Sequence, residues 1–191
     1  DLRALLLAQD VIYVGGGSLL NLLAIWRAHG LDSILCEAWE RGVVLGGISA
    51  GSMCWFKAGV TTGYGTPRAV EGLGFLPASN SVHHHSEPER RGCFHEAVRS
   101  EQAPPGYAVD DGAGLLFAGL ELVEAVSARK GAGAWWVDLE GDAAVETPLD
   151  VVELASEEQG PPLAIAEFRR ARGYDASARN RPARRVAGIG D

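Results

Sequence analysis

Val43-Val44-Leu45-Gly46-Gly47-Ile48-Ser49-Ala50-Gly51-Ser52 is the stretch that decides how this 191-residue chain is read. Its opening run is β-branched and too short for a helix, and helical character resumes from Ser52 to Lys57, ahead of Gly59. Between the two lies Gly-x-Ser-x-Gly, which in a strand-to-helix context is the signature of a nucleophile elbow. The reason is steric: a hydroxyl that projects from a sharp turn needs neighbours without large side chains, and backbone N–H groups must face the reacting carbonyl. Ser49 also stands at a helix N-terminus, where the dipole favours developing negative charge. The competing account, that these glycines only make a tight turn, is the weaker one because motif and context agree.

The same arrangement occurs upstream. Residues 3–9 read as the end of a helix and Val11-Ile12-Tyr13-Val14 as a short buried strand that runs into Gly15-Gly16-Gly17-Ser18. Ser18 caps a helix with an apolar stripe at Leu19, Leu22, Leu23 and Trp26, and Gly30 closes it. Asp32 or Ser33 is expected to cap a second helix, with Ile34, Leu35, Ala38 and Trp39 on one face and Gly42 at its end. Strand, glycine turn and helix occurring twice predict a parallel sheet flanked by helices. In such a sheet both glycine loops emerge at the carboxyl edge. The N–H groups of Gly16 and Gly17 can therefore join that of Ala50 in an oxyanion hole. Phosphate binding at Gly15-Gly16-Gly17 is the rival, but the turn matches neither G-x-G-x-x-G nor a P-loop.

Past Gly59 the segments shorten. Strands are expected around Val82 and at Tyr107–Val109, Gly114–Ala118, Leu122–Val126 and Ala134–Val137, with one helix at about 88–101. Glu140-Gly141-Asp142 reads as a hairpin turn, which makes the last strands antiparallel. Composition drifts toward Glu, Pro and Arg near residue 150. The expected division is therefore one α/β domain over 1–150 and an Arg-rich, solvated extension over 151–191.

Apolar residues make up 47% and charged residues 22%, which excludes a disordered chain, and no apolar run reaches membrane-spanning length. Residues 1–168 hold 10 basic and 23 acidic side chains, a net −13, whereas the remainder carries 7 basic and 2 acidic. So acidic a body repels nucleic acid, and any anion site on it must be local. Cys36, Cys54 and Cys93 are odd in number and form no C-x-x-C, which suits reduced thiols and a cytoplasmic protein.

A nucleophilic serine needs a base, and the base an orienting acid. The run His83-His84-His85 follows a strand end, and Asp110-Asp111 follows the strand Tyr107–Val109. One of the two aspartates is the expected acid, the other a turn residue bonding its own backbone. Zinc held by a His-x-His pair with Cys93 or His95 is the alternative use of the histidines. No spacing template for a structural zinc site is met, and neither metal nor cofactor is expected.

Four motifs in order resemble the peptidase E and cyanophycinase family of serine peptidases: Val-Gly-Gly-Gly-Ser at 14–18, Gly-Ile-Ser-Ala-Gly-Ser at 47–52, the run from His83 to Arg91, and Tyr-Ala-Val-Asp-Asp-Gly at 107–112. The resemblance covers residues 11 to about 149. It implies an α/β fold akin to class I glutamine amidotransferases, three-layered, with a mostly parallel sheet flanked by helices and antiparallel strands toward the C-terminus. It also implies a triad in the order Ser49, His83, Asp111, an order that differs from the α/β-hydrolases. Where relatives show Pro-His-Tyr-Asp this chain has Val82-His83-His84-His85, and where peptidase E has glutamate it has Asp111. Relatives also carry a strand-helix-strand unit ahead of this segment, so the sheet is expected to be short of strands and the intact protein to be longer.

The expected activity is hydrolysis of small peptides through an acyl-enzyme, with the preference of peptidase E for Asp-X dipeptides. Such a substrate needs a cation for its carboxylate, and Arg90 and Arg91 are the residues put forward, with His85 beside them. A cyanophycinase-like isopeptidase on the same triad and a non-catalytic binding module are the alternatives. The partner expected is a small peptide rather than nucleic acid or membrane, and a homodimer is compatible with the sequence.

Overall fold

The computed structural model describes residues 1–62 and 65–154. The Arg-rich extension expected from 151 onward lies, apart from its first four residues, outside the described residues.

Helix α1 (Leu2–Leu7) is capped by the Asp1 carboxylate and leads into β1 (Val11–Val14). Ser18 accepts a hydrogen bond from Asn21 N and opens α2 (Leu19–Ala28), as expected of a side-chain cap. The next helix, α3 (Leu31–Glu40), is capped neither by Asp32 nor by Ser33. Gly30, at φ +67°, ends α2 and opens α3 in one residue, which leaves no room for a polar cap. Strand β2 (Val44–Gly47) runs parallel to β1 in a register pairing Val11 with Val44 and Val14 with Gly47.

After β2 comes α4 (Ala50–Met53), a single turn. The helix expected to continue to Lys57 stops there, because Phe56–Thr61 is a strand, β3, paired in parallel with β5 (Leu76–Val82). Its residues are buried apart from Lys57, a demand that outweighs the helical character of the preceding residues. β4 (Arg68–Glu71), which the sequence did not signal, pairs antiparallel with β3. Then follow α5 (Pro88–Arg99), with proline in its first turn, and β6 (Gly106–Val109), β7 (Ala113–Ala118), β8 (Glu121–Ser127), β9 (Ala134–Glu140), β10 (Ala143–Pro148) and β11 (Val151–Glu153).

The largest sheet has the order β10-β9-β6-β5-β3-β4, parallel at its centre from β3 to β6 and antiparallel at both flanks. The expected turn at Glu140-Gly141-Asp142 joins β9 to β10 as an antiparallel hairpin. A three-stranded sheet, β11-β8-β7, stands beside it, and β11 continues strand pairing past the boundary expected at 150. The fold is therefore α/β, with mixed sheets flanked by a few helices, compatible with the glutamine-amidotransferase-like arrangement the resemblance implies.

The core is divided. Leu19 and Leu23 of α2, Leu35 of α3 and Met53, Cys54, Trp55 and Phe56 cluster beneath β1 and β2. Phe94 and Val98 of α5 pack on Val60, Ala108 and Val137 of the large sheet. Each fully buried side chain of this size contributes roughly 1.5–3 kcal/mol of transfer free energy. Together these two clusters fix α4, which follows Ser49, and α5, which begins five residues after His83.

Candidate active site

The elbow is shaped by β1. A Cβ added to Gly47 would lie 2.3 Å from the carbonyl oxygen of Gly51 and 2.6 Å from that of Val14, and one added to Gly51 would lie 2.2 Å from the Val14 oxygen. No side chain fits at either position: Gly51 is dictated by the neighbouring strand, and Gly47 by that strand together with the Gly51 carbonyl. Ile48 N donates to the same Val14 oxygen at 3.0 Å. Between the glycines Ser49 is held at φ +55°. The described residues contain two other non-glycine positions with positive φ, His83 at +61° and Glu101. A conformation of this kind costs on the order of 1–3 kcal/mol and persists only where its surroundings impose it. Two of the three such positions are the serine and the histidine next described.

His83 leaves the end of β5 on that unusual backbone, and Ser49 Oγ lies 3.1 Å from its Nε2. Its Nδ1 is bonded to Oδ1 of Asp111, which follows β6. Because Nδ1–H faces a carboxylate, Nε2 is left as the acceptor for the serine hydroxyl, as a general base requires. The other carboxylate oxygen, Oδ2, accepts from the Ser86 hydroxyl at 2.6 Å. The hydrogen bond from Ser86 is the largest single cause that holds the Asp111 carboxyl below its ordinary range. Burial opposes this, and His83 assists. Sequence reasoning did not single out Ser86, since a serine three residues after a histidine signifies nothing until the turn between them is known.

The Gly15-Gly16-Gly17 turn lies against the serine: a Cβ on Gly16 would be 3.3 Å from Ser49 Cβ. Ala50 is the first residue of α4, so its N–H has no acceptor within that helix. Among the described residues no backbone carbonyl takes the N–H of Gly16 or Gly17. Cys54, four residues into the same turn, is no rival nucleophile, because burial pushes its thiol up to about 12.

The three residues expected to bind substrate lie elsewhere. Arg90 is buried at 4% exposure in the first turn of α5, donating to the Val60 carbonyl at 3.0 Å, to Thr62 Oγ1 at 2.8 Å and to Glu87 Oε2 at 3.0 Å. Arg91 grips Glu146 of β10 with two hydrogen bonds, at 2.9 and 2.7 Å. His85 turns to Asp110, whose Oδ1 accepts from its Nδ1 at 2.8 Å and from its backbone N–H at 3.1 Å. Asp110 thus ties down the loop through Gly133 N as well. Glu146, absent from the sequence argument, also faces the wholly buried His84, whose Nε2 lies 2.8 Å from Oε1. That approach is proximity alone: neither ring nitrogen of His84 has a hydrogen bond of acceptable geometry, and burial disfavours the charged imidazole.

Ser49, His83 and Asp111 open onto a cavity of about 890 Å³ walled by apolar and aromatic side chains, among them Trp39, Trp55, Phe75 and Phe117. Glu40 and Asp110 add negative charge to its wall, and no lysine or arginine lines it among the described residues. The described residues hold no group of three or more His, Cys, Asp or Glu side chains placed to hold a metal ion. They also hold no helix long and apolar enough to cross a membrane.

The model of peptidase family S51 matches residues 1–124. The chain belongs to that family. It is also 45% identical over 151 residues to an uncharacterised Bacillus subtilis (strain 168) protein described as a peptidase, YgaJ; the match covers 79% of this chain. The chain spans 66% of the length of that relative. Membership in family S51 accords with the resemblance drawn from the four motifs.

Proposed function

We propose that this S51 member hydrolyses small peptides through an acyl-enzyme formed on Ser49, with His83 as the general base and Asp111 as the orienting acid. The observation that carries this reading is the continuous chain from Ser49 Oγ through the His83 ring to the Asp111 carboxylate, mounted on two strained turns. His83 takes the serine proton at Nε2 as Oγ attacks the carbonyl carbon. The N–H groups of Ala50 and of Gly16 or Gly17 hold the oxyanion, each such donor contributing on the order of 3 kcal/mol. His83 then protonates the leaving amine, the C–N bond breaks, and water repeats the sequence to release the acid.

On specificity, the Asp-X preference of peptidase E relatives is the first reading. Its weakness is the cavity wall, where Arg90 and Arg91 are absent and Glu40 and Asp110 present. That wall favours a second reading: a substrate bearing a cation, such as the β-aspartyl-arginine units that cyanophycinase-like enzymes cleave.

A fluorophosphonate probe tests the nucleophile. Labelling of Ser49 that disappears in Ser49→Ala is expected, and well-folded protein that does not label at all would refute the acyl-enzyme. A panel of Asp-X, Arg-X and β-aspartyl-arginine peptides then separates the two specificities.

A further inference from the structure

We infer that Ser86 is a positioning residue for the acid: together with His83 it clamps both oxygens of Asp111 from a single turn. The inference rests on the reading of Ser49, His83 and Asp111 as the reacting chain.

The turn runs from His83 to Glu87 and is closed by Glu87 N–H donating to the His83 carbonyl at 2.8 Å. It delivers two donors to one carboxylate, the His83 Nδ1–H to Oδ1 and the Ser86 hydroxyl to Oδ2. A hydroxyl carries one proton. The Ser86 Oγ has a second acceptor within reach, the His83 carbonyl, but at 3.4 Å against 2.6 Å to the carboxylate. The charged, closer acceptor takes the proton.

The clamp matters because of what else could hold Asp111. Its side chain is 41% exposed, it follows β6 rather than lying within it, and Gly112 comes directly after it. A short carboxylate in so open a place can rotate about χ1 and χ2, and rotation takes Oδ1 away from Nδ1. Ser86 blocks that rotation from the far side. The spacing is what permits this: His83 at φ +61° turns the chain so that residues 83 and 86 face the same side.

Ser86→Ala removes the donor with almost no change of volume at an exposed position. The rate at which a fluorophosphonate labels Ser49 should fall about tenfold, as for loss of one hydrogen bond to a charged group. Ser86→Thr, which keeps the hydroxyl, should restore most of it. In the Asp111→Ala background Ser86→Ala should cost nothing further, because a clamp has no effect without its carboxylate. A second readout does not depend on reactivity: in a ¹³C titration the Asp111 carboxyl should ionise at higher pH in Ser86→Ala and at the wild-type pH in Ser86→Thr. Losses that multiply in the double variant, or an Asp111 titration unmoved by Ser86→Ala, would overturn the inference. If wild-type Ser49 takes no label, the acyl-enzyme reading falls, and the titration still decides whether Ser86 holds Asp111.

Discussion

His83 and His84 are neighbours in the chain and each faces a carboxylate, yet the two pairs are built for different ends. His83 and Asp111 are partly exposed, at 27% and 41%, and carry further hydrogen bonds to Ser49 and Ser86, with His83 on a strained turn. His84 is wholly buried against Trp135, and Glu146 serves it together with His95 and Arg91. The first pair presents Nε2 of His83 to the Ser49 hydroxyl at the cavity. The second ties α5 to the β9–β10 edge of the large sheet. Both histidines lie just past the end of β5, where His83 takes φ +61°, and their adjacent imidazoles point one to the cavity and the other to the core.

The sharpest way to break this comparison is to exchange the roles. Ser49→Ala and His83→Ala should each lower peptide hydrolysis by about 10⁴-fold or more, the scale seen when one member of such a unit is lost. His84→Gln should leave activity per folded molecule within a few-fold. Full activity in His83→Ala would place the base elsewhere in the histidine run.

Next in size is Arg90→Ala. It strips a partner from the Val60 carbonyl and from Thr62 inside the protein and should cost about 2–4 kcal/mol, read as a fall in Tm with no change in the KM of the surviving fold. A change in KM with Tm intact would return Arg90 to the substrate.

Acid should separate the two histidines more gently. Burial pushes the His84 imidazole below its ordinary range and outweighs the opposing pull of Glu146, while Arg91 and His85 press it the same way and Asp110 opposes them. The folded protein therefore binds fewer protons at this site than the unfolded chain. Stability should be present above the unfolded value of about 6.5 and be lost as the pH falls below it, by at most about 1.4 kcal/mol per pH unit. Urea titrations at pH 7 and pH 5.5 should show this slope in wild type and a shallower one in His84→Gln. Smallest of all, His85→Ala should slow hydrolysis by a few-fold at most, since Asp110 keeps its bond to Gly133 N.

How much of this could be read in advance varies with the kind of signal. The elbow was legible because Gly47, Ser49 and Gly51 lie within five residues and their spacing is itself the constraint. The helix drawn through to Lys57 failed because burial of β3 is imposed by β5, twenty residues away. The sequence reading offers Arg90 as a cation for the substrate carboxylate, yet Arg90, Phe94, Ala97 and Val98 are the buried positions of α5 and repeat at i, i+4, i+7 and i+8. Following that stripe would have put the arginine inside. Glu146 and Ser86 had no local signature, because one acts through an antiparallel strand and the other through a five-residue turn.

The contact between the Val14 carbonyl and the two glycines has a bearing on transplantation. Five residues copied onto another strand-to-helix junction would not reproduce this elbow: the Gly51 carbonyl that crowds position 47 would travel with them, but the Val14 oxygen that forbids a side chain at 51 and receives the Ile48 N–H would not. The smallest portable unit is the pair of parallel strands with the Gly15-Gly16-Gly17 turn attached. A designer who moved it would be free to change the side chain at position 49 long before altering either glycine.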